Sequence, residues 1–433
     1  MTLSPFAAST IALETRALLT RLARLQPFAL VMPMVGAARV SAAASAAIER
    51  YLRRRRRELR TQVRAFHAWL QSPQGRGSTA VEAQRRFSFL KLRFNATITQ
   101  FDIFSDALAG RAEIGNGVWL GGLDAAAEDA LALEPRRYAM PPVVTYLDRG
   151  HGAAIRRART RLPGGGDNPV AVVRLPRERM IGSGIAASLV HETGHQAAAL
   201  LDLLPSLRLE LSARRRWSSG EDVIAWQLWE RWISEIAADF WAVAKVGVAA
   251  TQGLMNVVSL PRAFVFRIDR EDPHPFPWIR VKLSAAAGDL LYADPQWKLL
   301  SALWDSFYPR TPLDPARTQI VQALERTMPE FVRLLAGHRV ASLGGLPLAQ
   351  AFNLAERRPE RLRRIWRTSG SGVTTLQTLA PTLAFAVLGQ AKQDRRLSPE
   401  RESRLLAELL TRWGLRRAMA DQPARSTPRA LAA

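Results

Sequence analysis

Cysteine is absent from all 433 residues of the chain. This excludes disulfide scaffolds, thiolate nucleophiles, iron–sulfur clusters and zinc sites with sulfur ligands. Long apolar runs are also missing, since no window of about 18 residues is both apolar and uncharged, and we expect no transmembrane anchoring. The apolar stretch 27–38 contains two prolines and lies too late for a secretory signal, which predicts a soluble, cytoplasmic protein.

Carboxylates are few relative to basic side chains. Lys and Arg number 61 against 38 Asp and Glu, a formal net charge of +23, and 56 of the basic residues are arginine. Such a charge suits an acidic protein partner, an anionic membrane surface or nucleic acid. The arginines are spread over most of the chain and rarely alternate with aromatic residues, which disfavours nucleic acid but leaves it open.

Apolar periodicity predicts an α+β fold that is mostly helical, with one small sheet. Leucines at three- and four-residue steps predict an amphipathic helix over 10–25, and an arginine-rich segment without Gly or Pro predicts a basic helix over 49–64. β-Branched runs predict strands at 141–147 and 169–175. Further helices are predicted over 81–108, 185–204, 221–246, 283–303, 318–336, 359–366, 375–391 and 399–413, with a loop at 73–78.

These segments divide the chain into four predicted parts. Residues 1–100 are predicted as a basic N-terminal helical region, and residues 101–300 as a domain that holds the sheet and the candidate site. Residues 301–420 are predicted as a C-terminal helical region, and residues 421–433 as a disordered tail.

Two of the six histidines lie in the segment HETGH at 191–195, inside a predicted helix. Because residues four apart lie on the same helix face, His191 and His195 can point toward one metal ion. Glu192, one step around the helix, would lie beside a water bound to that metal. Zinc lowers the pKa of such a water toward about 7, so that a neighbouring carboxylate can take its proton. The alternative is a pair of buried histidines with ordinary hydrogen bonds.

A catalytic zinc site uses three protein ligands and leaves a fourth position for water. No His-x-x-Gly-x-x-His continuation follows His195, which argues against the metzincin type. In the predicted helix 221–246, Glu235 could be the third ligand, and Asp239 could accept a ring N–H from a ligating histidine. Their neighbours are mostly apolar, and a buried carboxylate without a partner is costly, which favours a metal site over a solvated acidic face.

The segments HETGH at 191–195, EIAAD at 235–239 and HPFPWIR at 274–280 resemble, in residues and order, the gluzincin metallopeptidases of the HtpX and CAAX prenyl protease family. The match covers about a quarter of the chain. It implies a zincin-like catalytic domain and one zinc ion per chain, with the ligands His191, His195 and Glu235, the general base Glu192, and Asp239 in a supporting position. It also implies that His274 and Arg280 lie at the active-site rim, where His274 could stabilise an oxyanion.

The sequence therefore predicts a zinc-dependent metalloendopeptidase of a soluble type that acts on a protein or peptide substrate. The alternative is a catalytically silent zincin-fold scaffold that docks through its basic surface on an acidic partner or nucleic acid. We expect a substrate strand to add to a sheet edge at 168–174. Tyr292 is a further candidate for the oxyanion donor, and Trp226, Trp229 and Trp232 are predicted to be core residues.

Overall fold

The fold begins with helices that are continuous over long stretches without Gly or Pro. The structure is a computed structural model that describes residues 2–135, 137–150, 152–180, 183–370 and 372–420, so the predicted tail lies outside the described residues. The N-terminal helices are α1 (Pro5–Ala23), α2 (Phe28–Val31), α3 (Ala42–Gln71), α4 (Pro73–Gly77) and α5 (Ala80–Ala109).

The N-terminal helices confirm the predicted helices over 10–25, 49–64 and 81–108. Helix α3 is longer than the predicted basic segment because the side chain of Ser41 caps it upstream. The prediction of a loop at 73–78 is wrong, because the short helix α4 occupies most of this segment. The Ser72 side chain caps the start of α4 by accepting a hydrogen bond from the Gly75 backbone N–H.

The small sheet has the strand order β1-β3-β2. Its strands are β1 (Val143–Asp148), β2 (Ala154–Arg156) and β3 (Ala171–Pro176), with β3 parallel to β1 and antiparallel to β2. Both predicted strands are confirmed, as β1 and β3. The expectation of a free edge at 168–174 is wrong, because β3 is paired on both sides. The edge strands are β1 and β2, and β2 has only three residues, too few for its sequence pattern to reveal it.

The rest of the described chain is helical apart from one small strand pair, β4 (Arg339–Val340) and β5 (Leu346–Pro347). Its helices are α6 (Asn116–Leu131), α7 (Ser183–Leu200), α8 (Leu203–Arg216), α9 (Asp222–Val246), α10 (Val248–Val258), α11 (Arg262–Val265), α12 (Pro277–Tyr292), α13 (Gln296–Phe307), α14 (Pro315–Gly337), α15 (Pro359–Thr368), α16 (Val373–Leu376), α17 (Pro381–Gln393) and α18 (Pro399–Ala420).

Three predicted helices are interrupted, of which the one predicted over 375–391 is divided into α16 and α17. The helix predicted over 185–204 ends before Asp202, and the one predicted over 283–303 is interrupted at Ala293. These two residues have φ angles of 52° and 51°, a left-handed conformation that stops a right-handed helix. Neither residue is glycine, so the sequence carries no strong signal for the break. Helices α2, α6, α10 and α11, and all but the first two residues of α8, lie outside the predicted helices.

One apolar core unites most of the molecule, from Leu120 in α6 to Trp413 in α18. Residues 101–300 and 301–420 share this core, so the predicted boundary near residue 300 does not separate two cores. The predicted tryptophans of α9 are confirmed as part of it. The helices α1, α3 and α5 have their own apolar cluster, and another cluster joins α3 and α5 to the sheet.

A buried ion cluster links α6 to α18, the last helix of the described chain. Arg111 follows α5 and donates two hydrogen bonds to the carboxylate of Asp124 in α6, at 2.9 and 3.0 Å. Arg417 of α18 donates to the same carboxylate at 3.0 Å. Arg111 and Asp124 are completely buried, so this cluster fixes α18 against α6 with charge-assisted bonds.

Candidate metal centre

Helix α7 carries the HETGH segment and packs closely against α9. Gly194 permits this approach, because a Cβ atom placed there would lie 2.9 Å from the Cα atom and 3.1 Å from the carbonyl oxygen of Ala238. Any side chain at residue 194 would push the two helices apart. The approach brings the carboxylates of Glu235 and Asp239, one turn apart on α9, up to the imidazoles of α7.

The three predicted ligands converge. The Nε2 atoms of His191 and His195 are 3.2 Å apart. Glu235 places Oε2 at 3.3 Å from Nε2 of His191 and Oε1 at 3.4 Å from Nε2 of His195. One ligand atom from each residue lies within 4.8 Å of the others. The sequence-predicted triad is thus brought together, with each side chain about one-seventh exposed.

Asp239 supports this triad through a hydrogen bond with the ring of His191. Its Oδ1 atom is 2.7 Å from Nδ1 of His191, which leaves Nε2 of that ring to face the other two donors. Arg280 donates from Nε to Oδ2 of Asp239 at 2.6 Å and from Nη2 to Oδ1 at 2.9 Å, and its Nη2 is 3.5 Å from Glu235. The structure therefore gives Asp239 the predicted supporting position.

Arg280 does not lie at the rim as the family resemblance implied. Its side chain is 13% exposed, lies in the wall of the cavity and contacts Glu235 and Asp239. The reason is local: Pro277 begins α12, so Arg280 falls in the first turn of a helix that packs on α9. The guanidinium consequently holds two carboxylates in place and forms part of the wall of the cavity.

Burial opposes ionisation throughout the cluster, and neighbouring charges decide which groups are charged. Burial lowers the pKa of His191, but the Asp239 carboxylate outweighs this effect and raises it to about 9. Burial and the nearby His191 lower the pKa of His195 to about 4. For Glu235 burial acts upward, yet the hydrogen bond and charge of His191 bring the pKa down to about 2.

This charge pattern fits a zinc site. The low pKa of His195 keeps its imidazole neutral, and the low pKa of Glu235 keeps its carboxylate ionised. Without a metal ion, the positive charge between these groups is the proton on His191. The Nε2 atoms of two imidazoles face one another beside a carboxylate, so that one cation could bind all three groups. Two histidines and one glutamate are also an established donor set for catalytic zinc.

Glu192 faces the same cavity but takes no part in the triad. It is 8% exposed, and burial raises the pKa of its carboxyl group although the charge of His191 acts the other way. Within the described residues no hydrogen bond or ion pair engages this carboxylate. A buried carboxylate of this kind can exchange a proton with a molecule held in the cavity.

His274 lies at the rim, as the resemblance implied. Its ring is 52% exposed, with Nε2 at 3.6 Å from Oε2 of Glu235. Asp272 positions the ring: its Oδ1 atom is 2.8 Å from Nδ1 and accepts the His274 backbone N–H at 2.9 Å. The sequence interpretation missed this role of Asp272, which the turn DPHP could have suggested.

Tyr292 does not reach the site. Its hydroxyl group donates to the carbonyl oxygens of Val243 and Ala244 at the end of α9, at 3.1 and 2.9 Å. The side chain is buried and is absent from the residues that line the cavity. The prediction of Tyr292 as an oxyanion donor is therefore wrong, because its hydroxyl group donates its hydrogen bond to backbone carbonyl oxygens.

The cavity in front of the triad has a volume of about 540 Å³. Residues 152–155, which include part of β2, line one side. Apolar side chains of α9 and α10 line another, namely Ala242, Ala250, Leu254 and Val257. The sequence interpretation missed both walls. Gly247, with a φ of 58°, ends α9 and was the available signal that a new helix begins there.

Comparison of the chain with protein-family models, curated proteins and solved structures gave no match in any of the three. Among the described residues no helix combines the length and apolar character needed to cross a bilayer.

Proposed function

We propose that the chain is a zinc-dependent metalloendopeptidase of the gluzincin type, with a zincin-like catalytic core. The observation that carries the proposal is the convergence of three donor side chains, His191, His195 and Glu235, beside the carboxylate of Glu192, which has no partner in the described part of the chain. Metal ligands and a potential base thus share one cavity.

The residues of the site divide the work between holding the metal and moving protons. His191 and His195 would hold zinc through Nε2, and Glu235 through its carboxylate. Bound there, zinc would supply a Lewis acid that polarises a peptide carbonyl and acidifies a water molecule. Asp239 accepts the Nδ1 proton of His191 and so fixes the tautomer that leaves Nε2 as a ligand.

Glu192 is the proposed general base. Its carboxylate takes a proton from the attacking water and returns it to the leaving amide nitrogen. His274, oriented by Asp272 at the rim, is the proposed hydrogen-bond donor to the oxyanion that forms on the substrate. A peptide would add as a strand along the free edge of β2, beside the cavity.

The test combines metal content with hydrolysis of an unstructured protein substrate. We expect about one zinc ion per chain in the parent protein and in Glu192→Gln, and none in His195→Ala. Hydrolysis should be measurable in the parent alone, because loss of a general base costs about 10²- to 10⁴-fold in rate.

Three outcomes would contradict parts of this proposal. Equal hydrolysis by the parent and Glu192→Gln would remove Glu192 as the base. Absence of zinc from every sample, even after zinc is supplied, would remove the metal site. Stoichiometric zinc without hydrolysis of any tested substrate would instead support the catalytically silent scaffold.

A further inference from the structure

The wall of the site cavity contains an arginine that the proposed chemistry does not use. Three arginines line this cavity, namely Arg157, Arg179 and Arg280. Arg280 donates to Asp239, and Nε of Arg179 is 3.1 Å from Oε1 of Glu178. The side chain of Arg157 makes no hydrogen bond or ion pair with any described residue. It is partly buried, so its positive charge loses part of its hydration without gaining a partner.

Hydrogen bonds fix the backbone around Arg157 relative to the metal centre. The carbonyl oxygen of Arg157 accepts from Nδ2 of Asn168 at 3.1 Å. The next backbone N–H, that of Ala158, donates to Oε1 of Gln196 at 2.7 Å. Gln196 is 1% exposed and directly follows the candidate ligand His195 in α7. Arg157 therefore has a fixed place beside the helix that carries two of the three donors.

The alternation of side chains along β2 directs Arg157 toward the site. Residues two apart on a strand share one face of the sheet. Ile155 pairs with Val173, which belongs to the same apolar core as α7, and continuing the alternation by one residue puts Arg157 on this face. Arg156 pairs with Val172 on the opposite face. It lines a neighbouring cavity of about 550 Å³ and is absent from the described lining of the site cavity, whereas Arg157, where β2 ends, borders both.

A carboxylate of the substrate matches the position of Arg157. Arginine presents its N–H donors in a planar fork that binds a carboxylate through two parallel, charge-assisted hydrogen bonds. Glu235 and Asp239, the carboxylates of α9 in the cavity wall, already have Arg280 as a cationic partner. A peptide that adds along β2 would pass the end of this strand, where Arg157 lies.

We propose that Arg157 is a specificity-determining residue that binds a carboxylate of the peptide substrate. The inference rests on the proposed function, because it takes a peptide as the occupant of the cavity. The carboxylate is either an acidic side chain, which an endopeptidase meets within a chain, or the C-terminal carboxylate of the peptide. Arg157 contributes binding and takes no part in the proton transfers of Glu192.

Peptide binding to the Glu192→Gln protein tests this inference without hydrolysis. The probes are decapeptides of Ala, Leu and Ser with a neutral coumarin label and a C-terminal amide, in which one Glu is moved from position to position. Each is compared with its Gln counterpart by fluorescence anisotropy, and a peptide without Glu is compared as free acid and as amide. We expect at least about tenfold tighter binding of Glu than of Gln at one position, or of the free acid than of the amide.

Two further substitutions in the Glu192→Gln protein show whether Arg157 causes the preference. Arg157→Gln should bind the Glu and Gln peptides equally, with the affinity that the Gln peptides have for the unsubstituted site. Arg159→Gln is the matched control, because Arg159 is exposed, lies two residues further along and is absent from the described lining of both cavities. We expect this control to keep the full preference, and both variants to keep the parental thermal unfolding midpoint.

Several results would overturn the inference. One is equal binding, or no binding, of every Glu and Gln pair and of the free acid and amide. Another is a preference that survives in Arg157→Gln or that is lost equally in Arg159→Gln.

Hydrolysis of the same peptides by the parent separates this inference from the proposed function. Carboxylate-dependent binding without hydrolysis would support the role of Arg157 and contradict the peptidase. Hydrolysis at the same rate with and without the carboxylate would support the peptidase and overturn the role of Arg157.

Discussion

At the scale of single residues, the candidate site depends on Asp239. This carboxylate accepts from His191 and from two nitrogen atoms of Arg280. Burial alone would raise its pKa, but Arg280 and His191 hold the pKa well below the usual range. Asp239 therefore stays ionised and fixes the orientation of a metal ligand.

The substitution Asp239→Asn tests this role. It keeps the shape of the side chain but removes the charge that orients His191, and we expect zinc affinity to fall by about 10- to 100-fold. Competition with a chromogenic chelator measures the affinity. Ser234→Ala is the control, because Oγ of Ser234 is 3.4 Å from Nδ1 of His195, a long contact. A similar loss in both variants would show that Asp239 has no special role.

Arg280 carries a second prediction at this scale. Arg280→Met would leave Asp239 buried without its cation, and we expect a loss of about 3–5 kcal/mol in the free energy of unfolding of the metal-free protein. Urea denaturation measures this change. Arg326, which pairs with Asp222 at an exposed site, provides the control. Arg326→Met should leave the unfolding curve unchanged, because solvent screens that pair.

At the scale of helices and strands, periodicity predicted those parts of the site that lie on one helix. The spacing of His191 and His195, or of Glu235 and Asp239, places each pair on one face of its own helix. The sequence could not show how the two helices meet, because this depends on the contact at Gly194. Strand β2 was also not predicted. Its three residues form a strand because they pair with β3, and they carry no strand pattern of their own.

Gly194→Ala tests the contact between α7 and α9. The added methyl group would meet the backbone of Ala238 at 2.9 Å, so we expect a loss of about 1–3 kcal/mol in unfolding free energy together with weaker zinc binding. Gly337→Ala in α14 is the control, because a Cβ atom there meets nothing within 4 Å. That variant should be neutral or slightly more stable. Normal zinc binding by Gly194→Ala would show that the helix contact does not govern the site.

At the scale of the whole molecule, the core that holds α7 and α9 extends into α18. The sequence suggested separate parts because loop signals divide the helices, but loop signals cannot show which apolar faces pack together. Gly122 of α6 and Gly414 of α18 illustrate this point: their backbones approach so closely that a Cβ atom on either would overlap the other helix.

Paired substitutions in α18 test whether the core is shared. Leu409 is fully buried and Leu415 is 47% exposed. Leu409→Asp should lower the free energy of unfolding by about 3 kcal/mol or more and abolish zinc binding in the same transition. Leu415→Asp should stay within about 0.5 kcal/mol of the parent. Retention of the zinc site after α18 has unfolded would show that residues 301–420 are an independent unit.

The buried cluster of Asp124 with Arg111 and Arg417 also has a consequence for biosynthesis. The ribosome makes Arg111 and Asp124 nearly 300 residues before Arg417. Until α18 emerges, Asp124 lacks its second guanidinium and α6 lacks the helix that covers its small residues. The metal-binding helices are translated long before that, so the nascent chain carries all three donors while the scaffold that aligns them is still incomplete.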